Sequence, residues 1–146
     1  MRFFKVLVML VVLLSTTIPL QARAEEDNRI NYLALGDSLA AGIQDTGEFG
    51  LSYTDYFAQN LEKENLLRSF NKGFAFPGYT TTHVLNEIQK NVEKPIVDLN
   101  GVQKERVSIT SAIATADVIT IDVGANDIIK HFKFEENGTA SIDYVA

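Results

Sequence analysis

Ile30-Asn31-Tyr32-Leu33-Ala34-Leu35-Gly36-Asp37-Ser38-Leu39-Ala40 is the stretch on which the fold turns. A short apolar run follows the charged residues Asp27 and Arg29 and stops at Gly36-Asp37, the pattern of a buried strand that ends in a functional turn. Downstream, Ala116-Asp117 introduces Val118-Ile119-Thr120-Ile121-Asp122-Val123, β-branched except for Asp122, and this run also ends in a glycine motif, Gly124-Ala125-Asn126-Asp127. Between them Ser52 is placed to cap a helix through about Glu64, with Tyr53, Tyr56, Phe57 and Leu61 at helical spacing. Leu66 to Phe70, or a little beyond, reads as a strand. Thr81 or Thr82 opens a helix to Lys90 or Asn91, apolar at Val84, Leu85 and Ile88. Pro95, Asn100-Gly101 and Lys104-Glu105-Arg106 mark a long connecting region, and Ser108 caps a short helix into Ala116. The resulting order is strand, helix, strand, helix, helix, strand, helix. Such alternation predicts an α/β fold with a parallel sheet covered by helices. Ligands of open sheets bind beyond the carboxyl ends of the strands, where both glycine motifs and Pro77-Gly78-Tyr79-Thr80-Thr81 would meet.

Ahead of this region Arg2 and Lys5 precede an apolar run from Val6 to Leu14 and on through Ile18, followed by Ala22-Arg23-Ala24. That is the three-part layout of a secretory signal peptide, with cleavage expected after Ala24. Residues 1–24 are read as the leader and residues 25–146 as one domain. The alternative is an uncleaved signal that anchors the chain, although the run is shorter than the roughly 18 residues of a spanning helix. Cleavage predicts an extracytoplasmic product without a stable membrane span. Removing Arg2, Lys5 and Arg23 with the leader, and no acidic residue, moves the formal charge from −6 to −9. An acidic product has no general electrostatic attraction to nucleic acid or to an anionic membrane. With no cysteine and two isolated histidines, disulfides and cysteine zinc sites are excluded, and a histidine-rich metal site is not expected.

A serine hydroxyl is a weak nucleophile until a base takes its proton. Ser38, at a turn between strand and helix, would have its hydroxyl exposed beside the positive end of the helix. The plain alternative makes Asp37 or Ser38 a helix cap, Pro77-Gly78 an ordinary turn and Asn126 another cap.

Together the three motifs resemble those of the GDSL-type (SGNH) ester hydrolases, and the likeness runs from about Asn31 to Ile129, with Asn71, Pro77, Tyr79, Thr80 and Thr81 strengthening it. The resemblance implies a three-layer α/β/α fold with a parallel, flavodoxin-like sheet, and hydrolysis of carboxylic esters through an acyl-serine. It implies Ser38 as nucleophile, with the N–H groups of Ser38 and Gly78 and the side chain of Asn126 as oxyanion donors. A side chain at position 78 is expected to crowd the acyl group. Asp37 is expected to support its turn, and Asp127 to anchor its own loop. Substrates across the family include lysophospholipids, short acyl esters, thioesters and acetylated sugars, and no cofactor is implied.

The family's general base stands in an Asp-x-x-His motif, which residues 1–146 do not contain. No histidine base is identified. His83 reads as a solvated surface residue, and His131 is spaced to pair with Asp127 at i, i+4 of a helix. The chain is therefore expected to be a truncated domain, inactive or completed by a separate chain, with an unpaired β-branched edge on its third strand. Two rivals stand beside this reading. The α/β-hydrolase elbow Gly-x-Ser-x-Gly is not matched by Gly36-Asp37-Ser38-Leu39-Ala40, and its serine does not follow the first strand. The other is a catalytically dead exported domain that binds a ligand or partner in the same cleft.

Overall fold

The structure, a computed structural model, describes residues 27–136 and 138–142; the expected leader over residues 1–24 lies outside the described residues. Three parallel strands form the centre: β1 (Ile30–Gly36), β2 (Leu67–Ala75) and β5 (Val118–Asp122), in the spatial order β2-β1-β5. Leu35 lies opposite Phe74 on one side and Ile121 on the other, so β1 is buried between its neighbours. This explains its nearly unbroken apolar sequence. Helices α1 (Ser38–Ala41), α2 (Tyr53–Lys63), α3 (Thr81–Lys90), α4 (Ile109–Thr115) and α5 (Ala125–Ile129) fill the connections.

The two faces of the sheet have separate cores. Leu33, Leu35 and Phe74 pack with Val84 of α3 and with Ile109 and Ala112 of α4. Tyr32, Ala34 and Phe70 pack with Ala58 of α2 on the opposite face. The expected helix–sheet–helix layering is thus present. Both long helices start on capping boxes, Ser52 with Asp55 and Thr80 with His83, which satisfy otherwise orphaned N–H groups. Ser108 caps α4 as expected.

Two expectations about this framework fail. The connecting region is an antiparallel hairpin, β3 (Glu93–Asp98) with β4 (Gly101–Ser108), closed by Leu99-Asn100. It lies beside β2, where the Asn71 side-chain oxygen accepts the N–H groups of Gly73 (2.8 Å) and Val97 (3.2 Å). In α2 the aromatic stripe is not the buried one. Thr54, Asp55 and Ala58 face inward while Tyr53, Tyr56 and Phe57 are exposed, because Asp55 is drawn in by Lys72 of β2 (2.5 Å) and by the capping box.

A second hairpin, β6 (Phe132–Phe134) with β7 (Ala140–Ile142), follows α5. Gly138, at φ +81°, occupies the expected turn, whose Asn137 lies outside the described residues. Among the described residues no helix is long and apolar enough to cross a membrane.

Among the described residues no strand pairs with the outer side of β5, and Ile119 and Ile121 of β5, like Ile128 and Ile129 of α5, are exposed. An open β-branched edge favours strand pairing between molecules. The 146-residue chain is expected to self-associate in sedimentation, and Ile121→Lys to shift it toward monomer; a wild-type chain that stays monomeric at high concentration would contradict this.

Candidate active site

Gly36 ends β1, paired with Ala75 of β2 and Asp122 of β5. A Cβ there would fall 2.6 Å from the Cβ of Ala40 and 2.7 Å from the carbonyl of Asp122, so the tight exit from β1 requires glycine. Asp37, only 2% exposed, then caps α1 by accepting the Leu39 N–H at 3.0 Å, and its own N–H donates to the Asp122 carbonyl at 2.9 Å. Its role is the expected support of the turn. Ser38 follows, half-buried, at the start of α1.

The second motif leaves β2 as a β-turn, with the Tyr79 N–H donating to the Phe76 carbonyl at 3.1 Å and Gly78 at φ +81°. Positive φ at the third turn position is what selects glycine there. No protein atom lies within 4 Å of a Cβ built at Gly78, so the positive φ is the constraint that the protein itself places on this position. The surroundings of Gly78 are open.

Asn126 joins the motifs. Its side-chain Nδ2 donates to the Tyr79 carbonyl at 2.9 Å and to Asp37 Oδ2 at 3.3 Å, linking the ends of β1, β2 and β5. Asp127 does not anchor its own loop. Its carboxylate accepts the Thr81 N–H (2.8 Å) and hydroxyl (2.9 Å), tying α5 to the start of α3. The Thr81 N–H foremost holds the Asp127 carboxyl below the ordinary carboxylate range. This commitment also removes the expected pairing with His131, since α5 ends at Ile129 and His131 lies past it. His83 is exposed, as expected, and has a structural use: its Nδ1 accepts the Thr80 N–H at 3.1 Å, and its ring stacks on Tyr79. Neither histidine is hydrogen-bonded to Ser38 among the described residues.

Two residues of this region, Glu87 and Lys94, were not singled out from sequence. Tyr79 donates its hydroxyl hydrogen to Glu87 Oε1 and accepts Lys94 Nζ (2.8 Å), and Lys94 pairs with Glu87 at 2.5 Å. The signal was Glu87 itself, an acid at helical spacing between Val84 and Ile88 on the buried face of α3. Lys94 comes from the unanticipated hairpin. This cluster clamps the turn whose carbonyl orients Asn126. Burial foremost, and then the nearby Asp37 charge, push the Asp122 carboxyl up. Asp122 was visible as the one acid in a β-branched run. Among the described residues no group of three or more His, Cys, Asp or Glu side chains could hold a metal ion.

The model of the GDSL-like lipase/acylhydrolase family matches residues 34–143, which include all three motifs. The chain belongs to this family. Two solved structures, a crystal structure of AlinE4, described as an SGNH-hydrolase family esterase, and a mutant of the esterase AlinE4, are each 22% identical to it with a TM-score of 0.44. The matches cover 70–71% of this chain and 43–44% of theirs, so the chain spans less than half the length of these esterases. No curated protein matches the chain.

Two outcomes follow from the charges at this family site. Lys94→Met leaves the Glu87 carboxylate largely buried and unpaired, and is expected to cost about 3 kcal/mol in denaturant unfolding, with much of the loss recovered on adding Glu87→Leu. The raised Asp122 pKa means that the folded state binds this proton more tightly than the unfolded state does. Stability from it is present below the ordinary carboxylate pKa and lost as pH rises through the raised value. Asp122→Asn should therefore be more stable than wild type at pH 7, with the difference shrinking below about pH 4; melting temperatures across that range test the sign.

Proposed function

We propose that this chain carries the serine and oxyanion parts of a carboxylic ester hydrolase. Ser38 Oγ attacks the ester carbonyl, the alcohol leaves, and an acyl-serine forms that water then hydrolyses. The N–H groups of Ser38 and Gly78, which donate to no protein acceptor among the described residues, and the Asn126 side chain stabilise the oxyanion. The observation that carries this reading is the double hydrogen bond of Asn126, which holds all three motifs at one end of the sheet. Both hydrogens of its amide are occupied. The longer bond, 3.3 Å to Asp37, is the one that yields to an oxyanion.

The proposal extends to an exported product cleaved after Ala24, acting on a small acyl ester or a lysophospholipid-like ester, with the missing base supplied by further chain or by a partner chain. A second reading is favoured by the separation of both histidines from Ser38: a binding domain without turnover. Brief incubation with p-nitrophenyl acetate, followed by peptide mass analysis, distinguishes the two. Acetylation is expected on the peptide containing Ser38 and absent in Ser38→Ala. Asn126→Ala is expected to slow it about 10²- to 10³-fold, the effect of losing one oxyanion donor. Acetylation confined to lysines, identical in Ser38→Ala, would remove the hydrolase reading in favour of the binding domain.

A further inference from the structure

Asn126 Nδ2 has two acceptors of unequal strength, and their distances rank them in reverse. A hydrogen bond to a carboxylate is intrinsically shorter and stronger than one to a neutral carbonyl. Yet the amide lies 2.9 Å from the Tyr79 carbonyl and 3.3 Å from Asp37 Oδ2. Acceptor strength alone would draw it toward Asp37. The Tyr79 carbonyl is therefore held in place by something else.

That hold comes from the far end of the Tyr79 side chain. Its hydroxyl donates to Glu87 Oε1 and accepts Lys94 Nζ at 2.8 Å, and its ring stacks on His83 with centroids 5.2 Å apart. Lys94 arrives on the β3–β4 hairpin, whose backbone comes close to β2: a Cβ at Gly73 would fall 2.2 Å from the carbonyl oxygen of Pro95, the neighbour of Lys94. Lys94 Nζ then passes over the Phe74 ring, 5.7 Å from its centre. The hairpin thus sets Lys94, Lys94 and Glu87 set the phenol, and the phenol sets the turn.

This ion pair is poorly built for stability alone. A pair withdrawn from water is often no better than well-packed apolar residues of similar volume. The Lys94 and Glu87 side chains are 18% and 12% exposed, and Glu87 Oε2 is buried with no hydrogen-bond partner among the described residues. An unpartnered buried oxygen costs free energy. Lys94 and the Tyr79 hydroxyl both meet the other oxygen, Oε1. What the pair supplies, and an apolar pair would not, is a fixed direction for the phenol.

We propose that Lys94 and Glu87 are positioning residues for ester cleavage, resting on the reading of Ser38 as nucleophile. Acting through Tyr79, they keep the Asn126 amide from being drawn onto Asp37. The bond to Asp37 stays long and yields to the oxyanion. Without the pair, the carboxylate captures the amide and the oxyanion loses that donor.

Two variants test this. The double variant Glu87→Leu with Lys94→Met removes both charges and leaves neither unpaired. Tyr79→Phe keeps the ion pair and removes the hydroxyl that it holds. Nitrogen–proton NMR signals of the Asn126 side-chain amide, identified by their loss in Asn126→Ala, report its hydrogen bonds without turnover. The rate of Ser38 acetylation, followed against p-nitrophenyl acetate concentration, reports the chemistry. Both variants, studied well below their melting temperatures, are expected to shift the amide signals. Both are expected to slow saturating acetylation about tenfold or more, with the half-saturating concentration little changed. Amide signals and saturating rate that match wild type in both variants would overturn the proposal, leaving the pair a purely structural one. Absence of acetylation in the wild-type chain would count instead against the reading of Ser38, and the amide signals would then decide the placement of Asn126 by themselves.

Discussion

The carboxyl edge of the sheet depends on how closely backbone packs around Gly36. Its carbonyl accepts the Phe76 N–H as the chain leaves β2, and the next N–H, that of Asp37, donates to the carbonyl of Asp122 as the chain leaves β5. Two hydrogen bonds from adjacent residues thereby lock three strand ends together, and the absent side chain lets Ala40 and Asp122 close in. Because α1 starts at once, Ser38 inherits its position from this junction rather than from contacts of its own. The turn bearing Gly78 inherits its position through Phe76. Overpacking at such a point typically costs 1–3 kcal/mol, and here it would displace each motif from the others.

Charge at this edge is arranged in two ways. Away from Ser38, Asp55 has Lys72 and Glu87 has Lys94, so the largely buried acids are compensated by cations. Beside Ser38, Asp37 and Asp122 form no salt bridge among the described residues, and Asp37 is satisfied instead by N–H donors. The helix that starts here, α1, has only four residues and offers little dipole to this acidic corner. The donors to Asp37 are the N–H of Leu39 and the side chain of Asn126. The clamp of Tyr79 by Glu87 and Lys94 fixes the carbonyl that aims one of them.

Much of this arrangement was legible in the sequence because strand and turn chemistry are local. Apolar runs ending in Gly36 and Gly124 announced the strands, and Ser52, Thr81 and Ser108 announced where helices begin. The hairpin was missed because β4 reads Gly-Val-Gln-Lys-Glu-Arg-Val-Ser, with two valines among charges; the usable signal was Asn100-Gly101, a dipeptide favoured in tight hairpins. The buried face of α2 is not the one that hydrophobicity would choose. The ion pair with Lys72 instead pulls Asp55 inward, and the small side chains of Thr54 and Ala58 permit close packing. Long-range partners of this kind leave no periodic trace. The same holds for Lys94, whose role emerges only when the hairpin reaches α3.

The two histidines show why spacing alone does not identify a base. His83 lies five residues beyond Gly78, at the start of a helix that meets the carboxyl edge of the sheet, yet its Nδ1 is taken up by the Thr80 N–H in the capping box of α3. Using that nitrogen elsewhere would forfeit the capping box and free the first turn of α3. Asp127, the carboxylate best spaced to orient His131, is spent on the same turn through Thr81. Both residues thus stabilise the placement of α3 and, through Tyr79, the aim of Asn126. The carboxyl edge is thus held by hydrogen bonds among its three motifs, with neither imidazole bonded to Ser38 among the described residues.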